Sequence, residues 1–169
     1  MAVIEIGKEL YLENVISLRK KLKQEEINNE FINIERFMQL NGVKKTSPIV
    51  TTTHSIDYNG IIDFEILISI DRSISNLTEY QLKPIFRIVN AVYARHEGNP
   101  ALLQDVYNEM TDFIMKNNMR QITPGYNVMM QEVTPTMNLE DFIIDVYIGV
   151  SENILWYRSA MQIWYKLHS

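Results

Sequence analysis

Two acidic residues stand inside strongly apolar strand patterns, and these residues are well suited to hold a ligand. In the last predicted strand, apolar residues at 142, 144, 146 and 148 alternate with a second set that contains Asp145 and Tyr147. Glu65 lies on the corresponding face of the equivalent strand in the first half. Carboxylates that converge with aromatic side chains in a cleft are typical of small-molecule sites. The alternative is that both acids face water, as one face of an antiparallel sheet often does.

Further tyrosines and a methionine pair extend this candidate site. Tyr107 belongs to a predicted helix, Tyr93 and Tyr126 belong to predicted strands, and Met129 and Met130 follow Tyr126 in the same strand. Methionine forms adaptable binding surfaces, although it also fills protein cores. The predicted ligand-binding residues are Glu65, Tyr93, Tyr107, Tyr126, Asp145 and Tyr147.

The residue patterns of common catalytic and metal sites are missing from the sequence. There is no cysteine, and only three histidines occur. His54, His96 and His168 lie in separate segments without the short spacing of metal ligands. No nucleophile elbow, glycine-rich phosphate loop or calcium-binding loop is present. We therefore expect no metal, no cofactor and no catalytic residue.

An internal repeat indicates how the candidate residues are positioned. Residues 15–19 match residues 91–95, and the apolar positions of two predicted helices match at the same offset of 76. Near the end of each half, 63–66 matches 141–144 at an offset of 78. A nearly constant offset across strand, helix and strand indicates a duplicated supersecondary unit.

Each repeat is predicted to contain one strand, one helix and two further strands. The helices are recognised by apolar residues spaced i, i+4 and i+7, and the strands by alternation or by β-branched runs. Asn99 is a candidate helix N-cap followed by Pro100 at the first helical position, and Pro124 is a predicted break before a strand. The predicted strands are 9–18, 49–54, 64–70, 85–95, 126–133 and 141–149, and the helices are 24–40 and 100–116.

These elements predict an α+β domain made of duplicated βαββ units in a pseudo-twofold arrangement. The first repeat covers 9–71 and the second 85–150, within a single domain over 1–169. Neither half has enough apolar residues for an independent core, so both are expected to pack as one body.

Composition restricts the class of protein. The chain has 169 residues, of which 46% are hydrophobic and 22% charged, and a net charge of −5. Such a composition is typical of a soluble globular domain. The negative charge argues against nucleic-acid binding, and no apolar run is long enough to cross a membrane. With no signal peptide at the N-terminus and no cysteine, a cytoplasmic location is expected.

A segment outside the repeat, residues 152–169, is predicted to form a C-terminal helix with one aromatic face. Trp156, Met161 and Trp164 are its candidate interface residues. Large aromatic side chains dominate contact energies, so this helix either docks on the domain or forms a lid or an interface with a partner.

The second half resembles a known family of domains. Residues 92–100, Val-Tyr-Ala-Arg-His-Glu-Gly-Asn-Pro, are similar to the segment that opens the second half of gyrase-inhibitor-like domains, which also serve as effector-binding domains of transcription regulators. Tyr107 and Phe113 match the family's helix core, Asn117-Asn118 its helix end, and Pro124 the proline before the next strand.

This resemblance implies a groove between two βαββ units that binds small, often cationic or aromatic molecules. In the family a glutamate commonly lies in the groove just after that proline. Here Gly125, Tyr126, Asn127 and Val128 follow instead, and the next acid is Glu132.

Three functions are compatible with these features. The first is a non-catalytic domain that binds a small aromatic or amphipathic molecule in the groove between the repeats. The second is a protein–protein adaptor or chaperone-like subunit, with a protein partner or a second copy bound through the groove and the C-terminal helix. The third, a small-molecule hydrolase, lacks a placed general base.

Overall fold

A computed structural model describes residues 2–75, 77–132 and 137–152. In both halves one strand is followed by one helix and two strands. The elements of the first half are β1 (Ile4–Leu22), α1 (Ile27–Leu40), β2 (Val50–Ile56) and β3 (Ile62–Ser69). Those of the second half are β4 (Gln81–Glu97), α2 (Leu103–Lys116), β5 (Met119–Met129) and β6 (Ile143–Glu152). The helix predicted for 152–169, with its three interface residues, lies outside the described residues.

The strands form one closed antiparallel barrel in the order β1-β3-β2-β5-β6-β4. Two seams join the halves, because β2 pairs with β5 and β1 pairs with β4. Each seam joins a strand to its own repeat equivalent, as a pseudo-twofold axis requires. The predicted α+β fold of duplicated βαββ units is therefore confirmed.

The strand register corrects the alignment of the repeats. Arg19 on β1 lies opposite Glu65 on β3, and Arg95 on β4 lies opposite Asp145 on β6. The two arginines are 76 residues apart but the two acids are 80 apart, so the predicted offset of 78 for the last strand is wrong by two. A shift of two residues keeps every side chain on its face, which is why the pattern alone did not reveal it.

Several predicted boundaries also change. The strand predicted for 9–18 runs from Ile4 to Leu22, since the N-terminal part of β1 is extended by pairing with β4. The strand predicted for 126–133 is instead Met119–Met129. Pro124 lies inside it, where the ladder to β6 shifts between Gln121 and Gly125. Proline is tolerated at such irregularities because no ladder hydrogen bond is needed there.

Three apolar clusters hold the barrel and its helices together. Alternate residues of β1 and β3 pack against α1, and alternate residues of β4 and β6 pack against α2. Ile144, Val146 and Ile148 belong to the α2 cluster, as predicted from their alternation. The third cluster consists of strand residues and fills the barrel interior. Its members are Leu10, Leu12, Val15, Val50, Leu67, Ile88, Ala91, Tyr126 and Val128, with Phe86 and Tyr147 packed against it.

Candidate functional site

Five of the six predicted ligand-binding residues lie on the inner face of the barrel. Glu65 and Asp145 alternate with residues that pack under the helices, so their side chains point inward, as those of Tyr126 and Tyr147 do. Tyr126 is buried and its ring centroid is 5.1 Å from that of Phe86. The central part of this face is thus an apolar core, with an acid at either end.

Glu65 is 5% exposed and is held by two basic side chains. His54 on β2 lies with its Nε2 2.8 Å from Oε2 of Glu65, and Lys83 on β4 donates to Oε1. Burial raises the pKa of Glu65, but the hydrogen bonds from Lys83 and His54 outweigh it and hold the pKa below its usual value. The register neighbour Arg19 binds Asp63 instead, at 2.8 and 2.9 Å.

Asp145 is 4% exposed and forms a bidentate pair with Arg95. Nε of Arg95 donates to Oδ1 at 2.7 Å and Nη2 to Oδ2 at 2.9 Å. The hydroxyl of Tyr93 also donates to Oδ1, at 3.0 Å, and the Tyr93 ring centroid lies 5.1 Å from that of Tyr147. Burial and the hydrogen bond to Asp145 raise the pKa of Tyr93 to about 12.

Both acids are therefore buried ion-pair partners within the sheet, and the interpretation that they face water is wrong. Moving a carboxylate from water into the protein interior costs on the order of several kcal/mol. A buried carboxylate therefore needs partners of opposite charge. Each acid accepts hydrogen bonds from side chains of other strands of the barrel, so its charge is already compensated by the protein itself.

Tyr107 lies apart from these residues, in the layer between α2 and the barrel. Its hydroxyl donates to Oδ1 of Asn127 on β5 at 2.7 Å. Its ring lies directly on the backbone of Gly125, where an added Cβ would be 2.2 Å from Cε1 of the tyrosine. Burial raises the pKa of Tyr107 to about 12.

The outer face of the barrel that packs against the two helices is called the helix-facing surface. A cleft of about 980 Å³ opens beside α1, in the half of this surface that belongs to the first repeat. Its walls are α1, the connection that leads into β2, and the C-terminal end of β5, so both repeats contribute to it. The apolar lining residues are Phe31, Ile32, Ile34, Met38, Pro48, Ile49, Phe64, Ile68, Met129 and Met130. None of the six predicted ligand-binding residues lines this cleft.

Few charged groups border the cleft. Nζ of Lys45, from the first repeat, lies 3.2 Å from Oε1 of Glu132, from the second, so an ion pair joins the two repeats here. Glu35 is an exposed side chain on α1 and also lines the cleft. Among the described lining residues, two of the three charged side chains are acidic.

Sequence reasoning left the methionine pair open between an adaptable surface and core filling, and it assigned Phe31, Ile34 and Met38 to a buried helix stripe. The only available signal was the i, i+3, i+7 spacing, which is the same for a helix face that meets a core and for one that borders a cleft. Of these three, Ile34 is fully buried and the other two are partly exposed.

The described residues contain no helix that is long and apolar enough to cross a membrane. Within 2–75, 77–132 and 137–152, no three histidine or acidic side chains are grouped closely enough to hold a metal ion.

No protein-family model and no curated protein matches this chain by sequence. Solved structures do match it. The C-terminal domain of EcmrR superposes with a TM-score of 0.72 at 15% identity, covering 90% of this chain and 99% of that domain. In the EcmrR–DNA complex the same match covers 57% of the EcmrR chain, so this chain spans little more than half of that longer protein.

Two other structures share the fold at lower similarity. A hydrolase from Listeria innocua has a TM-score of 0.57 and 13% identity, over 86% of this chain and 92% of its own. SAV2435 bound to tetraphenylphosphonium has a TM-score of 0.51 and 11% identity, over 89% of this chain and 94% of its own. The class that the fold defines is thus the pseudo-twofold βαββ domain expected from the gyrase-inhibitor-like resemblance.

Proposed function

We propose that this chain is a non-catalytic small-molecule-binding domain, and that its ligand occupies the cleft beside α1. The observation that carries this proposal is the cleft itself. Its volume of about 980 Å³ is large enough for a drug-sized molecule, since ligand pockets typically measure roughly 300–1,000 Å³. Its lining is mostly apolar, which is the other general property of such pockets.

The lining supports an aromatic or amphipathic ligand. Phe31 and Phe64 offer aromatic surfaces, while Met38, Met129 and Met130 offer flexible, polarisable ones that adapt to different shapes. Glu35 supplies a carboxylate on the α1 side, which favours a positively charged group on the ligand. The complex of SAV2435 with tetraphenylphosphonium, an aromatic cation, supports this choice of ligand class.

The polar groups of the cleft argue for binding rather than catalysis. Apart from the charged residues, the described lining offers amide and hydroxyl groups but no histidine. Its hydroxyls form no hydrogen bond with Glu35, Lys45 or Glu132, so no nucleophile–base pair is assembled there. The remaining polar lining residues are Asn28, Thr46, Ser47, Thr51 and Gln131.

Tetraphenylphosphonium is a suitable probe for the test. We expect it to raise the Tm of the wild-type protein and to bind in calorimetry with one-to-one stoichiometry. Ile32→Trp, on the exposed wall of α1, should abolish binding by filling the cleft, and Glu35→Gln should weaken it by up to about tenfold, the effect of roughly 1.4 kcal/mol.

Asn108 provides the matched control, because it is the repeat equivalent of Ile32 on α2 and is also exposed. Asn108→Trp should bind the probe like the wild type. Binding that Ile32→Trp leaves unchanged, or a wild-type protein that neither this cation nor other aromatic amphiphiles stabilise, contradicts the proposal.

A further inference from the structure

The repeat places an equivalent of the cleft beneath α2, and there the space is filled. Phe31, Ile49 and Thr51 beside the open cleft correspond, 76 residues later, to Tyr107, Gly125 and Asn127. The difference between the two halves of the helix-facing surface therefore comes from three pairs of residues whose backbone positions are equivalent.

Gly125 is the reason that Tyr107 can fill its half. An added Cβ at this position would lie 2.2 Å from Cε1 and 2.5 Å from the hydroxyl oxygen of Tyr107, far inside van der Waals contact. The ring thus occupies the volume that any other side chain would need. At the equivalent position Ile49 carries such a side chain, so no aromatic ring can lie on the backbone there.

Phe31, the equivalent of Tyr107, contacts an aromatic residue of β3 instead. Its ring packs edge-on against Phe64, with centroids 6.5 Å apart and an interplanar angle of 78°. The cleft beside α1 remains open as a result, with Phe31, Ile49 and Phe64 all in its lining.

The filled space has the character of a site for a phenol. Tyr107 packs against the backbone of Gly125, and its hydroxyl donates to Oδ1 of Asn127 at 2.7 Å. Asn127 is the register partner of Thr51 across the β2–β5 seam. Since Thr51 lines the open cleft, the open and the filled halves are adjacent at this pair of residues.

We propose that the space beneath α2 is a second ligand subsite, specific for a planar phenol-type ring, which Tyr107 fills with its own side chain. This inference rests on the proposed function, because it extends the same cleft across the seam. Tyr107 then sets the upper size of the ligand: with its ring in place, a molecule is confined to the α1 side.

Cavity complementation with phenol tests this subsite. Tyr107→Ala removes the ring and leaves Gly125 and Asn127 in place, so phenol should raise the Tm of this variant saturably. Toluene has nearly the same shape but no hydroxyl, and should bind about fivefold more weakly, as expected for one hydrogen bond of roughly 1 kcal/mol. Tyr107→Phe keeps the subsite filled and should not respond to phenol, like the wild type.

A second variant keeps the tyrosine and displaces its ring. Gly125→Ala is compatible with the backbone, because the φ of Gly125 is not positive, but its Cβ excludes the ring of Tyr107. Burial raises the pKa of two tyrosines, Tyr93 and Tyr107, to about 12. In an alkaline ultraviolet titration of Gly125→Ala, only one of these two should still ionise late, because Tyr107 should ionise nearer the ordinary value of about 10. This measurement decides the question if Tyr107→Ala does not fold.

A folded Tyr107→Ala protein that phenol does not stabilise overturns the proposal, as does a Gly125→Ala protein with an unchanged tyrosine titration. These outcomes are independent of the cleft beside α1. If tetraphenylphosphonium fails to bind the wild type while phenol stabilises Tyr107→Ala, the proposed function is wrong and only the capacity of the space beneath α2 to hold a phenol stands; the reverse result removes the subsite alone.

Discussion

Glu65 and Asp145 hold equivalent places in the two halves of the barrel but are neutralised by different groups. Asp145 binds the arginine opposite it, Arg95, whereas Arg19 turns to Asp63 and leaves Glu65 to Lys83 and His54. At the scale of single residues, a buried acid in a strand therefore marks an ion pair within the sheet as readily as a ligand site.

Replacing Glu65 should make stability depend less on pH. The pKa of Glu65 is lowered in the folded protein, so its stabilisation is complete above the unfolded pKa of about 4.3 and is lost as pH falls through the lower folded value. We expect Glu65→Gln to reduce the free energy of unfolding at pH 7 by about 2 kcal/mol. Urea unfolding at a series of pH values should show this difference shrinking below pH ~4.

Glu132→Gln is the control for that measurement. Its ion pair with Lys45 involves a carboxylate that is 82% exposed, and exposed pairs contribute less than about 1 kcal/mol. A difference between wild type and Glu65→Gln that stays constant from neutral to strongly acid pH would show that Glu65 is not held ionised by its partners.

At the scale of elements, the two helices are equivalent in length and position but begin differently. Before α2, the side chain of Asn99 accepts a hydrogen bond from the backbone N–H of Ala101 at 3.0 Å, with Pro100 next in the chain. Before α1, the carboxylate of Glu26 accepts from the backbone N–H of Lys23 at 2.7 Å. Asn99 caps the 3₁₀ turn Pro100–Leu102 that leads into α2. This cap was predictable, because both of its signals are local in sequence.

Asn99→Ala should destabilise the protein by about 1 kcal/mol through loss of this cap. Thermal unfolding followed by circular dichroism would measure it. Asn108→Ala, at an exposed position inside α2, is the comparison and should be neutral or slightly stabilising, since alanine has the higher helix propensity. Equal effects of the two substitutions would show that the cap contributes nothing.

At the scale of the whole molecule, the barrel is closed by seams between the repeats. The interior cluster takes Val15, Val50 and Leu67 from the first half and Ile88 and Val128 from the second. Neither half can bury these side chains by itself. Separating the two halves would also expose the unpaired edges of β2 and β5.

A chain that ends after residue 75 should therefore fail to fold, whereas one that ends after residue 152 should fold. Circular dichroism and thermal denaturation of both fragments would test this expectation. Cooperative unfolding of the shorter fragment would show that a single repeat is an independent unit and that the seams are secondary contacts.

Sequence reasoning was most successful where the structure depends on local signals or on the periodic spacing of apolar residues. The offset of 76 identified both helices, and the alternation around Ile144 and Val146 correctly assigned them to the helix-facing side. It was less successful at Pro124, which was predicted to precede a strand and lies within one. A proline at a ladder irregularity depends on the partner strand, β6, and that partner is distant in sequence.

By itself, the sequence determined that two βαββ units fold together and which side chains share a face, because both follow from periods of two and 3.6 residues within a segment. Only the tertiary structure decided what each face meets. Closure of the barrel buried Glu65, Tyr126 and Asp145 inside it. The contact of Tyr107 with Gly125 filled one half of the helix-facing surface, whereas the half with Ile49 stayed open. Such outcomes depend on contacts between distant segments, which side-chain periodicity does not encode.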